Sequence, residues 1–151
     1  MAFRQATATD LDGLIRLQTD YYREDGYPHR LQPAREAWST LLTDGSRGRV
    51  WVVESSPGEL VAYLVVTFGY SLEFLGRDAF VDELYVVESW RGRGLGQEAL
   101  DVAQAACRDL GVHALHLEVE NTKHRVAALY RRSGFVDHQR HLMTKWLRPP
   151  G

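Results

Sequence analysis

Apolar and polar positions along this chain follow two periods, one typical of strands and one typical of amphipathic helices. Runs rich in Val, Tyr and Phe predict strands, and apolar residues three or four positions apart predict helices. The predicted strands are residues 3–6, 49–54, 60–70, 79–87, 114–119 and one or two strands within 135–147. Predicted helices begin near Thr9-Asp10, near Gln32-Pro33, directly after a glycine-rich stretch ending at Gly96, and before Val126, Leu129 and Tyr130. Interleaved strands and helices predict a mixed α/β layered fold.

Turn residues divide these elements. Residues 55–58, Ser-Ser-Pro-Gly, separate two apolar strand patterns and predict a hairpin. Gly76-Arg77-Asp78 predicts a break before the next strand, and residues 21–27 predict a polar, aromatic loop after the first helix. No repeat or linker interrupts the pattern, so we expect one domain over residues 1–151 with a loose tail at 148–151.

Composition narrows the function classes. The net charge of −2 disfavours a nucleic-acid partner and an anionic-membrane partner. The chain shows no signal peptide and no apolar run long enough to span a bilayer, so we expect a cytoplasmic protein. Its one cysteine, Cys107, cannot form an internal disulfide and is expected in or near the core.

A strand, a glycine-rich turn and a helix follow one another at residues 81–96. Gly92, Gly94 and Gly96 stand at alternate positions, where they let the backbone curl so that successive N–H groups point at one anion. The following helix adds its first unpaired N–H groups and the positive end of its dipole. This stretch therefore predicts a phosphate-binding turn.

Two familiar nucleotide loops are excluded by residues at the end of the turn. A Walker loop requires Gly-Lys-Ser/Thr where this chain has Gly96-Gln97-Glu98. A dinucleotide fingerprint starting at Gly92 requires a third glycine where Gln97 stands. The pattern Gln/Arg-x-x-Gly-x-Gly/Ala is matched in full by Arg91, Gly94 and Gly96.

With this motif, the chain resembles the GCN5-related N-acetyltransferase (GNAT) superfamily. Residues 84–86 lie upstream as the family's fourth strand does, residues 128–135 resemble its "ALYxxxGF" motif, and residues 143–147 resemble its closing strand. Residues 81–86 look most like the spermidine/spermine (diamine) acetyltransferase branch. The resemblance implies a central, mixed, mostly antiparallel twisted sheet of about six to seven strands flanked by about four helices.

The resemblance also implies acetyl-CoA as cosubstrate, with no metal. The implied pyrophosphate ligands are the turn and its flanking residues Arg91, Gly92, Arg93, Gly94, Leu95, Gly96 and Gln97. The backbone of Leu84, Tyr85 and Val86 would pair with the pantetheine arm, and the Val86 N–H would stabilise the oxyanion. Arg132 is a further candidate for a cofactor contact, although a solvated helix face explains it equally well.

Direct transfer needs a base for the protonated amine and an acid for the departing thiolate. Asp82 and Glu83 are the candidate bases; because they are adjacent in a strand, we expect them to face opposite sides and only one to line the acceptor site. Analogy with the diamine branch favours Asp82. Tyr130 is the candidate acid. The family's pantetheine-contacting asparagine is replaced by Lys123, and Asn121 lies two residues earlier.

The acceptor is left open between a polyamine, an aminoglycoside, an amino acid and a protein amine. Residues 21–27, with Glu73 and Asp82, are a candidate anionic and aromatic pocket for a cationic amine. His113, His116, His138 and His141 are spaced by three in predicted strands, which does not favour a metal site. The alternative function is a non-catalytic acyl-CoA sensor on the same fold. Family members commonly form homodimers.

Overall fold

A computed structural model describes residues 2–149 and arranges them as one five-stranded sheet with four helices. The strands are β1 (Arg4–Gln5), β2 (Gly48–Ser56), β3 (Glu59–Ser71), β4 (Gly76–Val86) and β5 (Ala114–Leu117). The helices are α1 (Leu11–Asp25), α2 (Leu31–Thr43), α3 (Leu95–Asp109) and α4 (His124–Arg132). Short 3-10 turns span Ala8–Asp10 and Glu88–Trp90.

The sheet is mixed and mostly antiparallel, as predicted. Its order is β1-β2-β3-β4-β5; the first three pairings are antiparallel and the β4–β5 pairing is parallel. The predicted hairpin joins β2 to β3, with Val52 opposite Tyr63. The parallel β4–β5 pair requires a crossover, which α3 supplies.

β3 is the centre of the fold because helices cover both faces of the sheet. Residues 60–66 are all buried, and such a continuous apolar run is typical of a strand covered on both sides. One face packs against α1 and α2 through Leu14, Leu17 and Trp38. The other packs against α3 through Ala99, Leu100 and Cys107, with α4 at its margin. Cys107 is thus a core residue, as expected.

Three predicted boundaries are wrong. β4 begins at Gly76, so 76–78 is strand and not a break; Gly76 pairs with Ser71 across the β3–β4 hairpin. Residues 21–25 belong to α1 and not to a loop, although the helix does end where Gly26-Tyr27-Pro28 predicts, at Gly26 with a left-handed φ of 74°. β5 ends at Leu117, two residues earlier than predicted. The ends of β4 and β5 therefore differ from those predicted by their apolar residues, because pairing with a neighbouring strand, and not local sequence, decides where each strand begins or ends.

The predicted final strand or strands at 135–147 are absent from residues 2–149, so the sheet has fewer strands than the six to seven expected. Residues 135–146 have no regular secondary structure. Residues 150–151 of the predicted tail lie outside the described residues. Within residues 2–149, no helix combines the length and apolar character required to cross a membrane.

Candidate active site

The parallel strands β4 and β5 separate halfway along β4. Their pairing runs from Asp78 opposite Ala114 to Val81 opposite Leu117 and then ends. Beyond Val81, β4 continues for five residues, of which the last four, 83–86, pair with β3 alone. One edge of β4, at residues 82–86, therefore faces a gap between the two strands.

One backbone N–H group of β4, that of Val86, points into this gap. The N–H of Val87 donates to the carbonyl oxygen of Val61 on β3 at 2.9 Å. Successive N–H groups of a strand point to opposite sides, so the Val86 N–H points away from β3 and towards the gap. The Val86 carbonyl oxygen, on that same side, accepts a hydrogen bond from Arg91 Nε at 2.9 Å.

The turn after β4 presents a run of backbone donors that have no acceptors. Gly92 and Gly94 have φ values of 75° and 83°, in the left-handed region that favours glycine. Within residues 2–149, none of the N–H groups of residues 92–97 is hydrogen-bonded to protein; the next one, of Glu98, donates to the Gly94 carbonyl at 3.0 Å. The positive end of the α3 dipole lies at the same place, so the turn is built to hold an anion.

Gly96 has a different role from the first two glycines. A Cβ at Gly96 would lie 3.3 Å from the Leu129 side chain, whereas Gly92 and Gly94 have open space around them. Gly96 therefore allows α4 to pack closely against the start of α3. The hydrogen bond from the Ser133 hydroxyl to Gln97 Oε1 at 3.1 Å supports the same contact.

The arginines beside the turn have specific partners. Arg91 forms an ion pair with Glu24 of α1 at 2.7 Å, and Arg93 lies over the Trp90 ring at 4.3 Å. Burial opposes ionisation of Glu24, but hydrogen bonds from Arg91 and Tyr85 outweigh it and hold the pKa of Glu24 below its usual value. Positive charge is thus available at the turn, with Arg91 shared between the turn and α1.

A β-bulge at Asp82 turns both candidate carboxylates to one side. Val66 pairs with Val81 and Val65 with Glu83, so Asp82 is an extra residue with no partner on β3. Val81 and Leu84 both pack beneath α3, and Asp82 and Glu83 between them face the opposite side of the sheet. The expectation that these two residues point to opposite faces is wrong, because the bulge adds one residue to the alternation.

Glu83 is held by three hydrogen bonds. Its Oε1 accepts from Gln18 Nε2 at 3.0 Å and from the Tyr63 hydroxyl at 2.6 Å, and its Oε2 accepts from the Tyr22 hydroxyl. Trp38 Nε1, which can only donate, bonds to Gln18 Oε1 at 2.9 Å and so directs the amide nitrogen of Gln18 to Glu83. Burial, followed by the Glu83 charge, raises the pKa of both phenols, which keeps them neutral donors.

The Asp82 side chain, unlike that of Glu83, is not held by hydrogen bonds within residues 2–149. Its side chain is solvent-accessible and makes no hydrogen bond within residues 2–149. Desolvation by the surrounding protein raises the pKa of Asp82, and the negative charges of Glu83 and Glu118 add to that effect. A carboxylate with a raised pKa and unoccupied lone pairs is suited to accept a proton.

Tyr130 lies on α4, half-buried beside the core under α3. Its ring contacts Phe135 edge-to-face with 6.1 Å between centroids, and its hydroxyl has no hydrogen-bond partner within residues 2–149. Burial raises the pKa of Tyr130. Burial, followed by the charge of Glu83, raises the pKa of Tyr21 in α1.

The segment before α4 is anchored by a residue that departs from the family motif. Lys123 Nζ lies 2.6 Å from Asp25 Oδ2 at the end of α1. Asn121 is exposed in a turn and Arg132 is exposed on α4, and neither side chain makes a hydrogen bond within the described residues. Lys123 therefore joins α4 to α1 at the position where the family often has asparagine.

A cavity of about 220 Å³ opens between α1, α2 and β4. It is lined by Gln18, Tyr22, His29, Arg30, Ala34, Ala37, Trp38, Leu41, Val65, Asp82 and Glu83. Glu73, expected to contribute to an acceptor pocket, instead forms an ion pair with Arg140 at 2.7 Å and does not line this cavity. Within residues 2–149, no three His, Cys, Asp or Glu side chains are grouped as a metal site requires.

Sequence reasoning missed the residues that position Glu83. Gln18 and Trp38 read as ordinary positions of amphipathic helices, and Tyr63 as one of many apolar residues of a buried strand. A buried Trp or Tyr needs a hydrogen-bond partner, but the sequence does not indicate which residue provides it. The one available signal was a glutamine at an apolar position of α1.

Comparisons with known proteins agree with this geometry. The model of the "Acetyltransferase (GNAT) family" matches residues 11–135. Thialysine N-epsilon-acetyltransferase of Bos taurus is 31% identical over 151 residues, covering 91% of this chain and 86% of that protein. The enzyme of the same name from Mus musculus is 24% identical, covering 89% and 83%.

Solved structures show the same fold. An integron cassette protein from the mobile metagenome of Cole Harbour Salt Marsh superposes with a TM-score of 0.85 at 36% identity, covering 98% of this chain and 91% of that one. A possible acetyltransferase from Clostridium difficile 630 gives a TM-score of 0.83 at 19% identity, covering 97% of each chain.

Proposed function

Because this chain belongs to the GNAT acetyltransferase family, we propose that it transfers the acetyl group of acetyl-CoA to a primary amine on a small molecule. Transfer is by direct attack while both substrates are bound. The observation that carries the proposal is the run of six backbone N–H groups without acceptors at residues 92–97, placed next to the unpaired edge of β4.

Acetyl-CoA fits these two features together. The pyrophosphate would accept hydrogen bonds from the N–H groups of residues 92–97, with Arg91 and Arg93 supplying charge. The pantetheine arm would lie in the gap and pair with the free edge of Leu84, Tyr85 and Val86, as an added strand does. This places the thioester near the Val86 N–H, whose direction into the gap suits an oxyanion donor.

The proton steps fall to Asp82 and Tyr130. An alkyl ammonium must lose a proton before it can attack, and Asp82 accepts it directly or through a water molecule. Glu83 contributes negative charge but is saturated with donors, so it positions and attracts the amine instead of removing its proton. Tyr130 gives its proton to the departing thiolate, because its hydroxyl has no hydrogen-bond partner among residues 2–149 that would compete for that proton.

The cavity favours an acceptor of mixed charge. Asp82 and Glu83 line one part of it, while Arg30 lies at its exposed rim without an ion-pair partner in residues 2–149. An amino acid with a terminal amine, such as thialysine, offers an ammonium group to the carboxylates and a carboxylate to Arg30. A polyamine offers only cations, so we propose thialysine-like amino acids as acceptors ahead of polyamines.

The test is a screen of amines with acetyl-CoA, following free CoA and identifying products by mass, beside a calorimetric titration of acetyl-CoA. We expect binding, turnover with thialysine, and weaker turnover with spermidine. Absence of acetyl-CoA binding refutes the proposal. Binding without turnover on any amine supports the alternative, a non-catalytic acyl-CoA sensor. Replacing Arg30 by Ala should reduce kcat/KM for thialysine about tenfold while sparing spermidine.

A further inference from the structure

Polar side chains of α1 and α2 form a series of hydrogen bonds that ends at His29, in the connection between the two helices. Trp38 Nε1 donates to Gln18 Oε1 at 2.9 Å, and His29 Nε2 lies 3.1 Å from the same oxygen. The nitrogen of that amide, Gln18 Nε2, donates to Glu83 Oε1 at 3.0 Å. His29 is therefore connected through one amide group to a carboxylate of the cavity between α1, α2 and β4.

These hydrogen bonds determine which ring nitrogen of neutral His29 carries the proton. An indole N–H can only donate, so the atom of Gln18 that faces Trp38 is the amide oxygen, and an amide oxygen can only accept. His29 Nε2 must then donate its proton to Gln18. In a neutral imidazole the second nitrogen is an acceptor, so Nδ1 of His29 keeps a lone pair.

The Nδ1 atom of His29 is accessible from the cavity side of the ring. It has no hydrogen-bond partner within residues 2–149, whereas every buried side-chain nitrogen and oxygen of these residues has one, so Nδ1 is not buried. His29 lines the same cavity as Asp82 and Glu83. Its ring packs edge-to-face against Tyr22 with 5.4 Å between centroids, which holds the ring plane.

The next residue, Arg30, lines the same cavity and has no ion-pair partner in residues 2–149. Two consecutive residues thus present an acceptor and a cation, and an α-amino acid carries the complementary ammonium and carboxylate on one carbon atom. We propose that His29 is a specificity-determining residue whose Nδ1 accepts a hydrogen bond from the α-ammonium group of the acceptor, while Arg30 binds the α-carboxylate. This inference rests on the proposed function and deepens it, because the acceptor becomes a diamino acid held at three points.

Two substitutions separate the two ring nitrogens. The amide nitrogen of His29→Gln can take the place of Nε2 and donate to Gln18, but nothing replaces Nδ1; His29→Asn keeps an acceptor near Nδ1 and loses the Gln18 contact. The acceptors are thialysine and its analogue without the α-amino group. The parent should prefer thialysine about tenfold in kcat/KM, as one hydrogen bond to a charged group allows. The preference should fall to about one in His29→Gln and persist in His29→Asn.

Three results of this comparison would overturn the inference. They are a parent without preference for the α-amino group, a preference that survives in His29→Gln, and an equal loss of preference in both variants. The last result would mean that His29 acts only by positioning Gln18 and Glu83.

A measurement without turnover keeps this inference separate from the proposed function. In the full chain labelled with ¹⁵N-histidine, two-bond ¹H–¹⁵N spectra report which ring nitrogen carries the proton, and His29→Gln identifies the His29 signals among those of six histidines. We expect the proton on Nε2, and an Nδ1 signal that thialysine shifts, with or without CoA, and the analogue does not. A proton on Nδ1, or an Nδ1 signal that thialysine leaves unmoved, contradicts the inference. Failure of acetyl-CoA to bind refutes the proposed function and leaves this spectroscopic result standing.

Discussion

The neighbouring carboxylates Asp82 and Glu83 should respond in opposite ways to removal of their charge. The two isosteric changes are Asp82→Asn and Glu83→Gln. Asp82 has no hydrogen-bond partner within residues 2–149, so its amide variant should fold as stably as the parent or slightly better. The sign follows from its raised pKa: the folded state disfavours the charged form, and the neutral amide removes that cost.

The main effect of Asp82→Asn should be on the rate of catalysis. A positioned general base contributes about 10²–10⁴-fold to rate, so Asp82→Asn should lower kcat/KM by at least about 10²-fold. In the parent, kcat/KM should fall as pH decreases through the pKa of Asp82, which lies above the usual value for aspartate. That acidic limb should disappear from the residual activity of the variant. Free CoA release over a pH series measures both effects.

The main effect of Glu83→Gln should be on the free energy of unfolding. In Glu83→Gln the charge is lost and an amide NH₂ replaces one oxygen, so Tyr22, Tyr63 and Gln18 no longer bond to a carboxylate, and the hydroxyl that faces the NH₂ must accept instead of donate. Replacing these charge-assisted hydrogen bonds by neutral ones costs about 1–3 kcal/mol, which for a chain of this length lowers the melting temperature by roughly 2–10 °C. Thermal unfolding followed by circular dichroism measures the change.

Glu36→Gln is the control, because it removes an exposed negative charge on α2 that has no hydrogen bond to either carboxylate. It should change kcat/KM and melting temperature little. The reasoning fails if Asp82→Asn keeps more than half of the parent kcat/KM, or if Glu83→Gln melts at the parent temperature. It also fails if the two variants lose activity and stability to the same extent.

Three further changes test other parts of the site and the fold. Tyr130→Phe should lower kcat roughly 10²-fold and leave the acetyl-CoA Kd unchanged by calorimetry, since the hydroxyl acts on the leaving thiolate; an unchanged kcat removes it from that role. Arg91→Ala should raise the acetyl-CoA Kd about tenfold and Glu24→Gln should lower it, because Glu24 holds Arg91 at 2.7 Å; equal Kd values contradict this competition. Asp10→Asn should cost about 1–2 kcal/mol of unfolding free energy at pH 7, because the Arg4 hydrogen bond lowers the pKa of Asp10. Because the pKa of Asp10 is lower in the folded than in the unfolded state, its carboxylate stabilises the fold at pH values above the unfolded-state pKa, and this stabilisation is lost as the pH falls through the folded-state pKa. Urea unfolding below that pH should therefore give the same free energy for Asp10→Asn and the parent.

Local sequence was sufficient to predict those elements that depend on residues close to them in the chain. The start of α3 directly after the glycine-rich turn and the polar turn between β2 and β3 each depend on nearby residues, and each was predicted. The glycine-rich turn was likewise visible, because Gly92 and Gly94 are required by their own backbone angles. Features that depend on a distant partner were not visible. Glu73 meets Arg140 and Glu83 meets Gln18 across 67 and 65 positions of the chain, and no local pattern reports either contact.

The wrong expectation at Asp82 shows why the alternation of side chains along a strand did not predict the faces on which Asp82 and Glu83 lie in β4. A strict period of two assigns Asp82 and Glu83 to opposite faces, and one inserted residue cancels that rule. Val81 and Leu84 lie three positions apart and are both in the core beneath α3, which a strict period of two does not allow. Residues 84–87 are all apolar, however, so the sequence does not show which of them faces that side.

The bulge also accounts for the position of the gap between β4 and β5. Pairing between β4 and β5 ends at Val81, the residue directly before the bulged Asp82. A bulge bends its strand and increases the local twist, so a parallel neighbour cannot stay in register beyond it. One extra residue thus has two effects at the same point of the chain. It frees the β4 edge at residues 84–86 on the β5 side, and it turns two carboxylates towards the cavity between α1 and α2. The proposed thioester and amine sites lie next to each other because both arise from this single irregularity, and Asp82, the proposed base, is the inserted residue itself.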